Sequence, residues 1–157
     1  MPELTSTQQK WADDMGGAVD GEVFEVIKAL DDQPWEHEPD HVEWTQHGFA
    51  CEIKRSPTTG ALCGYVYLPE GHPWHGGYEG LDELVDVHGG FTYGAPKDDG
   101  TWCIGFDCSH AGDLCPRMMQ HQHWYHPQYD DVYRDIDYVR AEVEKMALAA
   151  KKAQTTT

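Results

Sequence analysis

Positive charge is scarce in this chain, which has 11 Lys and Arg residues against 28 Asp and Glu residues and a formal net charge of −17. A field of that sign repels nucleic-acid phosphates and anionic membrane surfaces. We therefore expect no direct nucleic-acid binding and no association with a membrane surface. Long apolar runs are also absent from the sequence, so no segment is expected to cross a bilayer.

Other common signals are missing as well. The first residues, 1–4, lack the basic and apolar parts of an export signal, which predicts a cytoplasmic protein. The five cysteines include no C-x-x-C pair. Reduced thiols are the default for such a chain.

Negative charge is concentrated in residues 1–47, which hold twelve Asp or Glu residues against Lys10 and Lys28, or −10 of the −17. Such a segment either keeps the protein in solution or competes for a basic partner surface, as a nucleic-acid mimic does. The sequence leaves both interpretations open.

The apolar pattern predicts the fold class. Apolar and polar residues alternate over 49–54 and 62–68 around a turn at 56–60, which is typical of a β-hairpin. Further strands are expected at 84–87, 91–93 and 102–107, with a turn over 96–100. The amphipathic helix predicted over 131–153 rests on apolar residues recurring at three and four: Ile136, Val139, Val143, Met146 and Ala150.

Capping and glycine signals predict two short helices before Pro34. Together these elements predict an α+β fold with a mostly antiparallel sheet of about four to five strands, short N-terminal helices and a long C-terminal helix. We expect a single domain over 1–157. It divides into an acidic helical region (1–47), the sheet with its site loops (48–130) and the C-terminal helix (131–153).

Two glycine-punctuated segments place ionisable side chains beside backbone that glycine adopts easily. The first contains His88, Gly89, Gly90, Thr92 and Tyr93, and the second runs from Gly105 to Asp113. Four of their side chains form the predicted metal and catalytic set: His88, Asp107, His110 and Asp113. Two imidazoles and two carboxylates suit Zn²⁺ or Mn²⁺ with positions left open for water.

The same residues allow other interpretations. A His oriented by an Asp is a general base without any metal, with Tyr93 and Thr92 as donors to substrate oxygens. An Asp after a strand also commonly caps the next turn. A nucleophilic Cys108 is disfavoured, because Asp107 and Asp113 would raise the pKa of its thiol.

Ligand binding without chemistry is a third interpretation. Consecutive amides at Gly89 and Gly90 would form a nest for an anion such as phosphate. Trp74 could stack on a base or sugar, and Arg134 could bind a phosphate. His72 and His75 could close over the site. The histidine-rich run at 121–126 is typical of adventitious surface metal binding.

Four motifs occur in the same order as in a family of small proteins encoded by bacteriophages and bacteria, which this chain resembles over about 60–148. They are Gly64-Tyr65-Val66 with His72-Pro73, then His88 to Tyr93, Gly105 to Asp113, and Tyr133-Arg134-Asp135-x-x-Tyr138-Val139. The resemblance implies a phage or prophage setting, hence the host cytoplasm, and it transfers no mechanism.

Three functions are therefore expected from the sequence. The first is a small phage-type hydrolase, metal-assisted through the His/Asp set, acting on a small molecule or nucleotide. The second is a counter-defence protein that sequesters a nucleotide signal or blocks a host immune protein. The third is an acidic nucleic-acid mimic.

Overall fold

The computed structural model describes residues 34–118 and 131–155. Within them five strands form one antiparallel sheet in the order β1-β2-β3-β5-β4, followed by a long helix. The elements are β1 (His41–Gln46), β2 (Phe49–Arg55), β3 (Leu62–Leu68), β4 (Tyr93–Pro96), β5 (Trp102–Asp107) and α1 (Ile136–Thr155). The predicted α+β class is confirmed, while the helices expected before Pro34 lie outside the described residues.

Strand β1 corrects the expected extent of the N-terminal helical region, which was placed at 1–47. Residues His41–Gln46 pair antiparallel with β2. His47 and Gly48 join the two strands with φ angles of 53° and 87°. Positive φ at both positions is what a two-residue hairpin turn of type I′ requires. The acidic composition of this segment is therefore the reason that the sequence did not predict strand β1.

The strand expected at 84–87 is wrong. A 3-10 turn at Leu81–Glu83 comes immediately before these residues, and the amides of Leu84 and Val85 both donate to the Leu81 carbonyl. Those local bonds use the donors that a sheet ladder would need. The next strand, β4, starts at Tyr93 and continues to Pro96, where a turn was expected to begin. It is an edge strand, which tolerates proline.

One face of the sheet packs against α1 and carries the core. Its largest fully buried side chains come from β2, β3, β5 and α1: Ile53, Leu62, Val66, Leu68, Ile104, Phe106, Val139, Val143 and Met146. The opposite face carries half-buried side chains from β3, including Tyr65 and Tyr67. Because strand side chains alternate, each strand contributes one row to each face.

Close approach of α1 to the sheet depends on Gly64 in β3. A Cβ at this position would lie 2.6 Å from Val143 Cγ2 and 2.7 Å from Phe106 Cε1. We expect Gly64→Ala to lower the free energy of unfolding by about 1–3 kcal/mol, because the added methyl overpacks the core. Chemical denaturation measures this. Gly77→Ala is the matched control, since its Cβ would meet nothing within 4 Å and its φ is not positive. Equal stability of the two variants would contradict the packing argument.

The amino end of α1 is fixed by two carboxylates. Asp135 Oδ1 accepts the Tyr138 amide at 2.8 Å, which is an N-cap bond. Glu38 Oε2 accepts the Ile136 amide at 2.7 Å, and Glu38 Oε1 accepts the Tyr133 hydroxyl at 2.7 Å. Negative groups at this end also complement the helix dipole. The first turn of α1 is therefore held in one position.

A short parallel bridge joins the loop after β5 to the segment before α1. Leu114 N donates to Val132 O at 2.9 Å, and Val132 N donates to Gly112 O at 2.8 Å. The bridge places Asp113 beside the chain that leads into α1. It brings the second glycine-punctuated segment and the helix to the same place.

Candidate functional site

His88, His110 and Asp113 converge although they come from two separate loops. His88 lies in the turn that follows the 3-10 segment, whereas His110 and Asp113 lie in the loop after β5. One ligand atom from each lies within 4.8 Å of the others, so the three side chains could hold a metal ion. We call these three residues the loop site.

Asp113 is the centre of the loop site. Its side chain is 1% exposed and accepts His88 Nε2 at 2.8 Å, the His110 amide at 3.0 Å and Arg134 Nε at 3.0 Å. Burial alone would raise the pKa of the Asp113 carboxyl, but these hydrogen bonds outweigh burial and lower it below its ordinary value of 3.8. Asp113 is therefore a buried, ionised carboxylate at neutral pH.

His88 is held through both ring nitrogens. Nε2 faces the Asp113 carboxylate, and Nδ1 lies 2.9 Å from the Tyr138 hydroxyl. Because an ionised carboxylate only accepts, the neutral ring carries its proton on Nε2, and Tyr138 donates to Nδ1. The Tyr138 ring also meets the His88 ring edge-on at 5.5 Å. The orientation of His88 is thus set from two sides.

His110 differs from His88 because one of its buried nitrogens lacks a partner. Nδ1 lies 3.4 Å from Asp113 Oδ2, and Nε2 lies 3.5 Å from Asp107 Oδ1. Among the described residues, Nδ1 is buried without a hydrogen-bond partner. Buried polar atoms are nearly always satisfied, so an exception needs an explanation. A cation bound between Nδ1 and Asp113 would supply one.

Gly89 makes room for the His110 ring. A Cβ at residue 89 would lie 2.3 Å from His110 Cε1, and the residue has a φ of 68°. Any side chain here would both displace His110 and strain the backbone. The ring centroids of His88 and His110 lie 5.7 Å apart. The glycine is therefore part of how the two imidazoles come together.

The donor set could hold a metal ion of the kind that imidazole and carboxylate ligands suit. Three ligands of imidazole and carboxylate type leave a fourth position open for water or substrate. Ligand atoms about 2.0 Å from a tetrahedral ion lie about 3.3 Å from one another, close to the 3.4 Å between His110 Nδ1 and Asp113 Oδ2. Each imidazole also has an outer partner, Tyr138 for His88 and Asp107 for His110. Such outer groups orient metal-binding histidines.

Asp107 was predicted as a ligand, but its carboxylate lies outside the group of three, where it contacts His110 Nε2. Thr92 Oγ1 donates to Asp107 Oδ1 at 2.9 Å, so Thr92 positions this carboxylate. The Asp107 side chain is 32% exposed. It can therefore orient His110 and still reach solvent or a bound molecule.

Other predicted residues lie elsewhere. Tyr93 lies on the face of the sheet opposite α1, together with Tyr65. Its hydroxyl accepts Lys97 Nζ at 3.0 Å, and its ring packs edge-on against Tyr65. Trp74 is buried against His72. Both rings are thus used in aromatic packing within the fold.

One of the two amides of the predicted anion nest, that of Gly90, is bonded within the chain itself. Gly90 N donates to Val87 O at 3.0 Å, and Phe91 N donates to Asp82 Oδ1 at 2.9 Å. A Cβ at Gly90 would also lie 3.2 Å from Asp82 Oδ1. The amides beyond Gly89 are therefore used in a turn with the Asp82 carboxylate as the anion.

The expected closure by His72 is also wrong. His72 is 4% exposed, its Nε2 donates to Ala150 O at 2.9 Å, and its Nδ1 accepts the Trp74 amide at 3.0 Å. Ala150 is twelve residues beyond Tyr138, which corresponds to about 18 Å along the helix axis. Burial lowers the pKa of His72, consistent with this neutral structural role.

Cys108 is 1% exposed, and burial raises the pKa of its thiol, with Asp113 and Asp107 adding to the effect. The argument against a nucleophilic Cys108 is thus supported.

The histidine run at 121–126 lies outside the described residues. Sequence reasoning missed Tyr138 as a site residue. Arg134 lies two residues before α1, and its Cζ is 5.0 Å from the Tyr138 ring.

No helix among the described residues combines the length and apolar character that a membrane span requires. Comparison with protein-family models, curated proteins and solved structures finds no match.

Proposed function

We propose that the protein is a small metal-assisted hydrolase whose ion would be bound by His88 Nε2, His110 Nδ1 and Asp113. On binding, the His88 proton would move from Nε2 to Nδ1, where the Tyr138 hydroxyl can accept it. The observation that carries this proposal is the buried, unpartnered His110 Nδ1, 3.4 Å from the ionised carboxylate of Asp113. A metal-free mechanism with His88 as general base accounts for the contacts of His88 equally well. Such a mechanism, however, leaves His110 Nδ1 without a hydrogen-bond partner.

Zn²⁺ or Mn²⁺ in such a site would lower the pKa of a coordinated water and supply a nucleophile near neutral pH. The side chains around it have separate tasks. Tyr138 and Asp107 would fix the two imidazoles that hold the ion, and Asp107, whose side chain is 32% exposed, would accept the proton released as the water oxygen bonds to the acyl or phosphoryl centre. That proton would then pass to the leaving group, which would complete hydrolysis.

Arg134 favours an anionic substrate. Its Nε is bound to Asp113, while its side chain remains 26% exposed beside the loop site. The combined positive charge of a divalent ion and Arg134 would exceed the negative charge of Asp113. The site would therefore be locally positive in an otherwise acidic protein. Phosphate esters fit that field, and guanidinium groups bind phosphate oxygens well.

Removing His110 should abolish metal binding at the loop site. We expect untagged wild-type protein to bind one more equivalent of Zn²⁺ than His110→Ala, because the variant loses one of three ligands. Inductively coupled plasma analysis after dialysis, with titration calorimetry, measures the difference. His75→Ala is the control, since His75 is an exposed histidine whose ring nitrogen contacts only the Gly100 carbonyl among the described residues. Equal Zn²⁺ binding by the wild type and His110→Ala would refute the metal site.

Activity is tested on chromogenic phosphate and carboxylate esters. We expect turnover that EDTA removes and Zn²⁺ or Mn²⁺ restores, with His110→Ala inactive under both conditions. Turnover that is insensitive to EDTA and retained in His110→Ala would instead favour metal-free acid–base catalysis by His88.

The counter-defence and mimic hypotheses predict different results. A sequestering protein would release an intact nucleotide after denaturation, whereas a hydrolase would release a cleaved product. A mimic would lose its effect when the acidic residues of 1–33 are neutralised and keep it in His110→Ala. The substitutions are confined to residues 1–33 because Glu38 binds the first amide of α1 and β1 begins at His41, so changes closer to the sheet would disturb the fold.

A further inference from the structure

A second group of metal-ligand side chains lies on the β1–β2 hairpin, away from the loop site. His41, Glu43 and Glu52 each offer one ligand atom within 4.8 Å of the others. His41 Nε2 lies 2.5 Å from Glu52 Oε2 and 3.3 Å from Glu43 Oε1. We call these three residues the hairpin cluster.

Strand geometry explains why the three side chains meet. His41 and Glu43 are two residues apart on β1, so both point to the same face. Glu43 is directly opposite Glu52 in the β1–β2 register. Side chains at directly opposed positions have Cβ atoms about 5 Å apart. The tight turn at His47 and Gly48 fixes this register, so the cluster is built on a rigid scaffold.

The hairpin cluster carries an electrostatic conflict. Like charges directly opposite each other in a sheet are destabilising, yet Glu43 opposes Glu52, whose side chain is only 6% exposed. Tyr67 donates to Glu52 Oε1, and Lys54 Nζ lies 3.5 Å from the same oxygen. Both partners act on Oε1, which leaves Oε2 directed at His41.

The Glu52 carboxylate lies beside open space, although its side chain is only 6% exposed. A groove of about 660 Å³ adjoins this carboxylate, with Glu43, Tyr67 and Asp99 also among its lining residues. An ion therefore has an open path to the hairpin cluster.

We propose that the hairpin cluster is a second divalent-cation site, with His41 Nε2, Glu43 Oε1 and Glu52 Oε2 as ligands for Zn²⁺. One imidazole and two carboxylates suit Zn²⁺, whereas Mg²⁺ and Ca²⁺ take oxygen ligands only. The 3.3 Å between His41 Nε2 and Glu43 Oε1 matches the spacing of tetrahedral ligands. Opening the shorter His41–Glu52 contact by less than about 1 Å would complete the set.

Zinc titration of the untagged full-length chain, followed by ¹H–¹⁵N NMR and calorimetry, tests this proposal. We expect the amide signals of β1 and β2 to shift with Zn²⁺ and not with Mg²⁺. Glu43→Gln should weaken the binding that moves these signals by about tenfold or more, because it removes one anionic ligand. Glu79→Gln, which alters an exposed glutamate elsewhere, should bind as the wild type does.

Glu43 is 69% exposed, so its substitution leaves the core intact and separates lost binding from misfolding. The hairpin signals should still respond in His110→Ala, which lacks the loop site, so the two sites fail or succeed independently. Hairpin signals that ignore Zn²⁺, or equal affinities of Glu43→Gln and Glu79→Gln, would overturn the proposal.

Discussion

Asp113→Ala is expected to lower the free energy of unfolding by about 3 kcal/mol, because it leaves His88 and Arg134 without their shared anion. Removing one partner of a buried charged pair costs about 3–5 kcal/mol. The lower end applies because the Arg134 side chain stays 26% exposed and water screens it. The same variant should lose metal binding at the loop site. Urea denaturation measures the first effect and calorimetry the second.

Asp98→Ala provides the comparison for a carboxylate of the same type. Asp98 is exposed, so its loss should change stability by no more than about 0.5 kcal/mol. A stability loss for Asp113→Ala no larger than that of Asp98→Ala would mean that the Asp113 contacts contribute little in solution.

The stability difference between the wild type and Asp113→Ala should depend on pH, because the pKa of Asp113 is lowered in the folded state. A carboxyl with a lower pKa in the folded state than in the unfolded state stabilises the fold above the unfolded value, which is about 3.9. That contribution is lost as the pH falls through the folded value. The stability gap between wild type and Asp113→Ala should therefore be constant near neutrality and shrink below about pH 4.

Gly89→Ala should have the second large effect, on metal binding first and on stability second. The new Cβ would overlap the His110 ring, with 2.3 Å to Cε1, and would adopt a φ of 68°. Left-handed backbone costs about 1–2 kcal/mol for a residue with a Cβ, and displacement of His110 removes one ligand. We expect at least about tenfold weaker Zn²⁺ binding, measured against a competing chelator.

Gly71→Ala separates backbone strain from displacement of His110. Gly71 has a φ of 87°, and a Cβ there would meet nothing within 4 Å. It should lose stability through strain and keep its Zn²⁺ affinity. Unchanged Zn²⁺ affinity in Gly89→Ala would show that the His110 ring does not need its present position to bind the ion.

The sequence predicted the fold wherever periodicity alone decides it. Alternation in β2, β3 and β5 and the three-four spacing in α1 were sufficient, because those elements bury one face. It failed at β1, where His41, Glu43 and Thr45 make one face polar and acidic composition masked the alternation. It also failed at 84–87, where a local turn competes with the sheet for the same amides.

Three of the four predicted ligands converge, since glycine-rich loops at strand ends bring polar side chains together. Sequence alone could not distinguish Asp107 from Asp113. That distinction depends on the Gly112–Val132 bridge, which joins parts of the chain twenty residues apart. Tyr138 could not be found for the same reason, because its partner His88 lies fifty residues away.

Two histidines fasten α1 at points about 18 Å apart. His88 contacts Tyr138 in the first turn, and His72 contacts the Ala150 carbonyl near the last. Helix ends ordinarily fray, but here each terminal region is tied to a different loop. The helix therefore acts as a strut that keeps the 69–80 loop and the loop site at a constant separation. Amide protons between these two contacts, from near Tyr138 to near Ala150, should therefore exchange with solvent at similarly low rates.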